Sequence, residues 1–268
     1  MNYTTYLFDF DYTLADSSRG IVTCFRNVLT RLVYTEVTDV DFKRSIGKTL
    51  EDSFSILTGV TDAGQLAGFK AEYRKEADTH MTVNTVLFLE TKSVLTALKD
   101  SGARIGIIST KYRFRIKELL DQHFPEDFMD IIVGGEDVKA AKPSPEGLLL
   151  AIKRLHVRKA ATLYIGDCTV DAETAQAAGV DFAGVTHGVT TAKELEKYPH
   201  RKIMNTLEEL LAVQEEYPSI FKIENPIRPE NAHATSPRNQ KRISVWQILR
   251  LVTLFWLAIG ELDMSGDS

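Results

Sequence analysis

Two cysteines in 268 residues, Cys24 and Cys168, are too few for a disulfide framework, and neither sits at metal-ligand spacing. A reducing compartment follows as the default. Positive charge is also in short supply. The 32 Lys and Arg stand against 37 Asp and Glu, a formal charge of -5, which argues against a long phosphate backbone as partner and leaves room only for a local basic pocket. No nucleic-acid role is expected. The opening residues, MNYTTYLFDF, have no basic region followed by an apolar stretch and a small-residue cleavage site, so a cytoplasmic location is expected. Long apolar runs are missing too, except at residues 243–260, ISVWQILRLVTLFWLAIG. A membrane span wants roughly 20 predominantly apolar residues, and a central charge such as Arg250 costs a few kcal/mol on insertion scales. Gln247 interrupts the run as well. The segment can be a buried or partner-docking amphipathic helix, a tail anchor behind the basic RNQKR of residues 238–242, or an accident of the reading frame; membrane contact through it is not the expectation.

What is present is ample apolar material, 44% of the chain, and a regular alternation. Apolar runs with β-branched residues fall at residues 5–10, 104–109, 130–134, 162–166 and 181–185, mostly separated by amphipathic segments. Runs such as RIGIIS and TLYIGD are apolar on both faces, which suits parallel strands covered by helices on each side. The expected fold class is α/β, a Rossmann-like parallel sheet core. Residues 15–85 differ, with helical patterns and no strand: Ile21, Phe25, Val28, Leu29 and Leu32 share one helical face, and Thr38 and Asp41 have capping-box spacing in a segment closed by Gly47. We read residues 15–85 as an inserted α-helical cap domain, residues 1–14 and 86–214 as the core, and residues 91–101 as the first core helix, closed by Gly102. Prolines 218, 226, 229 and 237 among polar residues mark 215–242 as a linker, with 243–268 as an apolar tail.

Four groups of polar residues fall at the carboxyl ends of the expected strands, the edge where open α/β sheets bind ligands. Asp9 and Asp11 stand at i and i+2, so in a continuing strand both project to the same side. Alone, that pair is better explained by a turn. Together, two close carboxylates require a cation between them or a raised pKa on one. Ser109 and Thr110 follow a strand and offer hydroxyl and amide groups to phosphate oxygens, or simply cap a helix. Lys142 precedes Pro143, where it is either a solvated lysine or a cation balancing a transferred phosphoryl group. Asp167 ends a strand after Gly166, and Asp171 follows at i+4; the first can be a cap, but four acids at one sheet edge argue for a divalent cation.

The ordered set, DFDYT at 9–13, ST at 109–110, KP at 142–143 and GDCTVD at 166–171, resembles the haloacid dehalogenase-like hydrolase superfamily. More narrowly it is similar to the phosphoglycolate phosphatase-type branch, whose helical cap follows the first strand. The resemblance spans about residues 5–213. It implies that Asp9 is a nucleophile forming an aspartyl-phosphate and a Mg²⁺ ligand, and that Asp11 is a general acid and then base that also ligates the metal. Thr13 supports the loop beside the substrate, Ser109 and Thr110 contact the phosphate, and Lys142 balances its charge. Asp167 is the metal's second carboxylate and Asp171 a further ligand or a supporting acid. Lys48, in SIGKTLED between cap helices, is the candidate for a substrate's anionic end. Two residues depart from the pattern: Tyr12 stands where the family most often has glycine, and Thr110 where many relatives have asparagine. The function implied is Mg²⁺-dependent hydrolysis of a small phosphorylated metabolite, such as phosphoglycolate, a sugar phosphate or a nucleotide. Phosphomutase and pyrophosphatase chemistry on the same scaffold, or a non-catalytic module, are the alternatives.

Overall fold

The structure is a computed structural model that describes residues 3–211. The expected linker and apolar tail, at 215–242 and 243–268, lie outside the described residues. Chain order runs β1 (Thr5–Phe8), β2 (Ala15–Asp16), α1 (Ser18–Arg31), α2 (Asp39–Ser45), α3 (Leu50–Thr58), α4 (Ala63–His80), β3 (Val86–Leu87), α5 (Thr91–Asp100), β4 (Arg104–Ile108), α6 (Arg113–Leu120), β5 (Ile131–Val133), α7 (Glu146–Leu155), β6 (Thr162–Gly166), α8 (Thr169–Ala178), β7 (Asp181–Val185), α9 (Ala192–Leu195) and β8 (Lys202–Met204).

Six strands form one parallel sheet in the order β5-β4-β1-β6-β7-β8. The all-buried TYLF of β1 shows why its strand is central: Tyr6 and Phe8 face α5 and α6 through Leu95, Leu98 and Ile116, while Leu7 faces α7 and α8 through Leu148 and Ala172. Period-2 alternation with apolar residues on both faces buries one helix layer on each side. The α/β class and the parallel core are as expected from sequence.

Two details differ. The strand expected at 5–10 ends at Phe8, because the Phe10 carbonyl accepts the amides of Thr13, Leu14 and Ala15 at 3.0–3.3 Å and turns the chain out of the sheet. Asp9 still pairs, its amide donating to Ile165 O at 2.8 Å. The sixth strand, β8, was not expected; three residues are too short to show a period.

Residues between β1 and α5 fold as a helical unit with its own core. Phe25 is its hub, with ring centroids 4.7 Å from Tyr73, 5.0 Å from Phe54 and 5.8 Å from Phe42. The Thr38–Asp41 capping box forms, at 2.9 and 3.3 Å. A short antiparallel pair, Ala15–Asp16 with Val86–Leu87, ties the two connections to the sheet; no strand was expected at Ala15–Asp16. Among the described residues no helix is long and apolar enough to cross a membrane.

Removing the hub ring leaves a cavity among three others, and Phe to Ala changes in cores cost about 3–5 kcal/mol. Phe25→Ala is expected to lower stability by about that amount in urea unfolding, whereas Ile56→Ala, on an exposed face of α3, shifts it by no more than about 0.5 kcal/mol. Equal losses would contradict the account of the cap core.

Candidate active site

Strand order decides which loops meet. Because β4, β1 and β6 are neighbours, the residues leaving their carboxyl ends share one edge: Asp9 after β1, Ser109 after β4 and Asp167 after β6. The loop before α7 brings in Lys142. Glu146, in the first turn of α7, folds back to accept the amides of Lys139 and Ala140, each at 3.0 Å, and so shapes that loop.

Lys142 is the centre of the arrangement. Its Nζ lies 2.6 Å from Asp171 Oδ1, 2.8 Å from Asp9 Oδ1 and 3.3 Å from the Tyr164 hydroxyl. The contact with Asp9 is an ion pair. Tyr164 in turn donates to Asp171 at 2.9 Å. Asp171 also accepts the Cys168 amide at 3.3 Å and the Cys168 thiol at 3.0 Å, so both of its oxygens are engaged. Its carboxylate lies so close to the strand end that a Cβ on Gly166 would stand 2.4 Å from it; the glycine is a clearance. Asp11 is met by Lys111 Nζ at 3.0 Å and by the Ser17 hydroxyl. Thr13 is wholly buried; its hydroxyl is 3.5 Å from Asp167 Oδ1, and its carbonyl is 3.3 Å from His187 Nδ1. Ser109 is buried and accepts the Lys111 amide at 3.2 Å; α6 starts only at Arg113, so Ser109 and Thr110 do not cap it.

Four carboxylates, Asp9, Asp11, Asp167 and Asp171, are each less than 9% exposed, and two ammonium groups, Lys111 and Lys142, answer them. Formally two negative charges are left over. Burial is the main force on Asp9, with Asp171 and Asp11 adding to it and Lys142 opposing; the group is pushed up to about 7. Burial and the same neighbours hold Asp167 well above the usual carboxylate range. Burial works against the charge on Lys142, but Asp171 and Asp9 outweigh it and keep the ammonium protonated. A set of carboxylate oxygens with an excess of two charges fits a hard divalent cation such as Mg²⁺. Asp167, Cys168 and Asp171 have ligand atoms within 4.8 Å of one another, but the Cys168 thiol is soft, pushed up by burial, and donates to Asp171. The carboxylates, not the sulfur, are the donors that suit the ion.

Above this edge lies a cavity of about 420 Å³ bounded by Asp11, Thr110 and Lys111 on the core and by Lys48, Tyr73 and Arg74 on the cap. Gly47 brings the cap loop down: its φ is +93°, and a Cβ there would stand 3.2 Å from Cys168 Sγ. Tyr12 is explained by its backbone, which is left-handed at φ +59°. Glycine takes that conformation freely; tyrosine does so at about 1–2 kcal/mol, here set against the burial of its ring.

Sequence reasoning passed over three residues of the site. Lys111 had a signal, since it directly follows Ser109 and Thr110. Tyr164 had a weaker one, a hydroxyl inside an otherwise apolar strand that needs a partner. His187, whose Nε2 is 3.0 Å from Glu90 Oε1, had none.

With this geometry the class of the protein is defined: an open parallel sheet with a helical insertion after the first strand, carrying an acid-rich, lysine-balanced edge. The family model for haloacid dehalogenase-like hydrolases matches residues 6–185, and the chain belongs to that family of hydrolases. Among its relatives is the pyrophosphatase PpaX of Bacillus mycoides (strain KBAB4), 28% identical over 213 residues, covering 80% of this chain and 97% of the relative. A solved haloacid dehalogenase-like hydrolase from Bacteroides fragilis is 64% identical, with a TM-score of 0.77, over 78% of this chain and 100% of that one. A Lactobacillus plantarum structure assigned as a phosphoglycolate phosphatase is 24% identical, with a TM-score of 0.71, over 80% and 100%; at that identity it speaks for the fold alone.

A carboxyl raised by burial binds its proton more tightly in the folded state than in the unfolded one. Folding therefore gains from Asp9 at low pH, and this gain is lost as pH rises from the ordinary value of 3.8 through about 7. In metal-free buffer, stability is expected to fall between pH 5 and 8 more steeply for the wild type than for Asp9→Asn, as read by urea midpoints. Parallel slopes would show that Asp9 is not strained by its surroundings.

Proposed function

We propose that this chain hydrolyses phosphate monoesters of small metabolites with Mg²⁺ as cofactor, through a phosphoryl group carried on Asp9. The observation that carries the reading is the Lys142 ammonium fixed 2.8 Å from the Asp9 carboxylate, with a second acid, Asp11, two residues on and held by its own lysine. Hydrolysis of such esters is among the slowest uncatalysed reactions, needing acceleration up to about 10²¹-fold, so a nucleophile, a cation and a proton carrier in one place are proportionate.

Asp9, the Asp11 backbone carbonyl and Asp167 are the groups that would hold the metal. When bound, Mg²⁺ supplies the charge that keeps Asp9 ionised and draws electron density from the phosphoryl oxygens. Burial and the neighbouring acids push the Asp9 carboxyl up to about 7, which supports a cation beside it. Asp171 is assigned the holding of Lys142, since both of its oxygens are taken.

In the first step an Asp9 oxygen bonds to phosphorus as the ester P–O bond breaks, and Asp11 gives its proton to the leaving oxygen. In the second, Asp11 takes a proton from water, whose oxygen attacks the same phosphorus; the Asp9–phosphorus bond breaks and inorganic phosphate leaves. Lys142 neutralises the charge that builds on the phosphoryl group, and Ser109 and Thr110 hold its oxygens. Lys48, lining the cavity, meets the far end of the substrate.

Pyrophosphate hydrolysis is a second reading, favoured by the name carried by the Bacillus relatives. It uses the same residues with phosphate as the leaving group.

A phosphate-release screen over small phosphorylated metabolites and pyrophosphate is expected to show Mg²⁺-dependent turnover, abolished by chelation and reduced at least about 10³-fold in Asp9→Asn. Equal release by the variant, or release untouched by chelation, would overturn the proposal.

A further inference from the structure

The cavity over the sheet edge carries more cations than its acids neutralise. Of five that line it, three are matched among the described residues: Lys111 with Asp11 at 3.0 Å, Lys70 with Glu51 at 2.6 Å, and Arg115 with Asp78 and with Glu118. Lys48 and Arg74 have no ion pair within 4 Å there. Arg74 is not idle, however; its guanidinium carbon lies 4.9 Å from the centroid of the Tyr112 ring, which holds the charge over the ring face, while Glu51 acts on it from beyond ion-pair distance. Tyr112 is the residue directly before the core's α6 and Arg74 sits on the cap's α4, so this pair closes across the cavity between the two.

Part of the wall is apolar, with Phe25, Leu50, Tyr73 and Met81 among the lining side chains. A volume of about 420 Å³ falls within the range of about 300–1,000 Å³ that holds small organic ligands. Inorganic pyrophosphate has nothing to set against such a wall, and neither does a two-carbon phosphate ester. An apolar body gains by displacing water from it.

We infer that the preferred substrate is a phosphate monoester with an apolar, ring-sized body and a second anionic group, which pairs with Arg74 where the guanidinium lies on Tyr112. The inference rests on the phosphomonoesterase reading for its catalytic end, and it names Arg74 as a specificity residue that touches substrate far from the phosphorus. A charge-assisted pair is worth about 1.5–3 kcal/mol, which sets a preference of roughly tenfold or more over a substrate lacking the second anion.

The test compares kcat/KM of the whole protein with Mg²⁺ for 4-carboxyphenyl phosphate, phenyl phosphate, phosphoglycolate and pyrophosphate. The first is expected to lead, by roughly tenfold over phenyl phosphate, with that ratio lost in Arg74→Met and restored only in part in Arg74→Lys, which keeps the charge but not the planar group over Tyr112. Faster turnover of pyrophosphate or phosphoglycolate, or a ratio that Arg74→Met leaves unchanged, overturns the inference. Calorimetric titration with 4-carboxyphenyl phosphonate and phenyl phosphonate, which cannot be hydrolysed at phosphorus, separates the two claims. Arg74-dependent preference in binding without turnover of any ester would sink the phosphatase reading and leave the seat standing. Equal binding of the two phosphonates would remove the seat whatever the turnover.

Discussion

The site depends on one ammonium group. Lys142 is taken out of water and set between Asp9 and Asp171, with the Tyr164 hydroxyl beside it. A buried cation of this kind is tolerable only when its partners are close and fixed. The surrounding structure supplies that: Tyr164 stands in the central strand β6, Asp171 is braced by the Cys168 amide in the first turn of α8, and Glu146 fastens the loop that carries the lysine. Loss of any partner would leave charge stranded in the core. The lysine thus organises three separate segments around the carboxylate it neutralises.

The same edge is also a store of unfavourable electrostatics. Four buried carboxylates face two lysines, and the strain shows in the raised Asp9 and Asp167. A fold selected for stability alone would not keep such a set. On the proposed function it would be explained by a cation and a phosphoryl group with opposite and complementary charges, each relieving what the protein alone cannot. The helical unit above the edge has its own aromatic core around Phe25, so it can hold its shape while its loop at Gly47 and its helix α4 frame the cavity.

Much of this was legible before any coordinates. The apolar runs that mark β1, β4 and β6 are continuous because both faces are covered, and the polar residues that end them are few. Asp9, Ser109 and Asp167 could therefore be picked out at strand ends, but singly they read as turns or caps and Lys142 as a solvated lysine; only the ordered set, through its family resemblance, pointed to chemistry. What was not legible has a common cause: it is tertiary and leaves no local period. Tyr164 meets Lys142 across 22 positions, and His187 reaches the Thr13 carbonyl across 174. The turn after Phe8 depends on one carbonyl accepting three amides, which no alternation of side chains announces. Tyr12 read as an anomaly because a left-handed backbone is invisible in a sequence that does not put glycine there. The seat on Arg74 was hidden for a further reason, since it is made by one residue of the cap and one of the core.

The central claim is that the Lys142-bound carboxylate of Asp9 carries the phosphoryl group. Rapid acid quench of the Mg²⁺-loaded enzyme turning over a phosphorus-labelled ester, followed by peptide mapping, tests it most directly. The account predicts a hydroxylamine-labile phosphoryl group on the peptide that contains Asp9, absent from the Asp9→Asn variant. Label on any other residue, or full phosphate release with no labelled protein at any quench time, would contradict it.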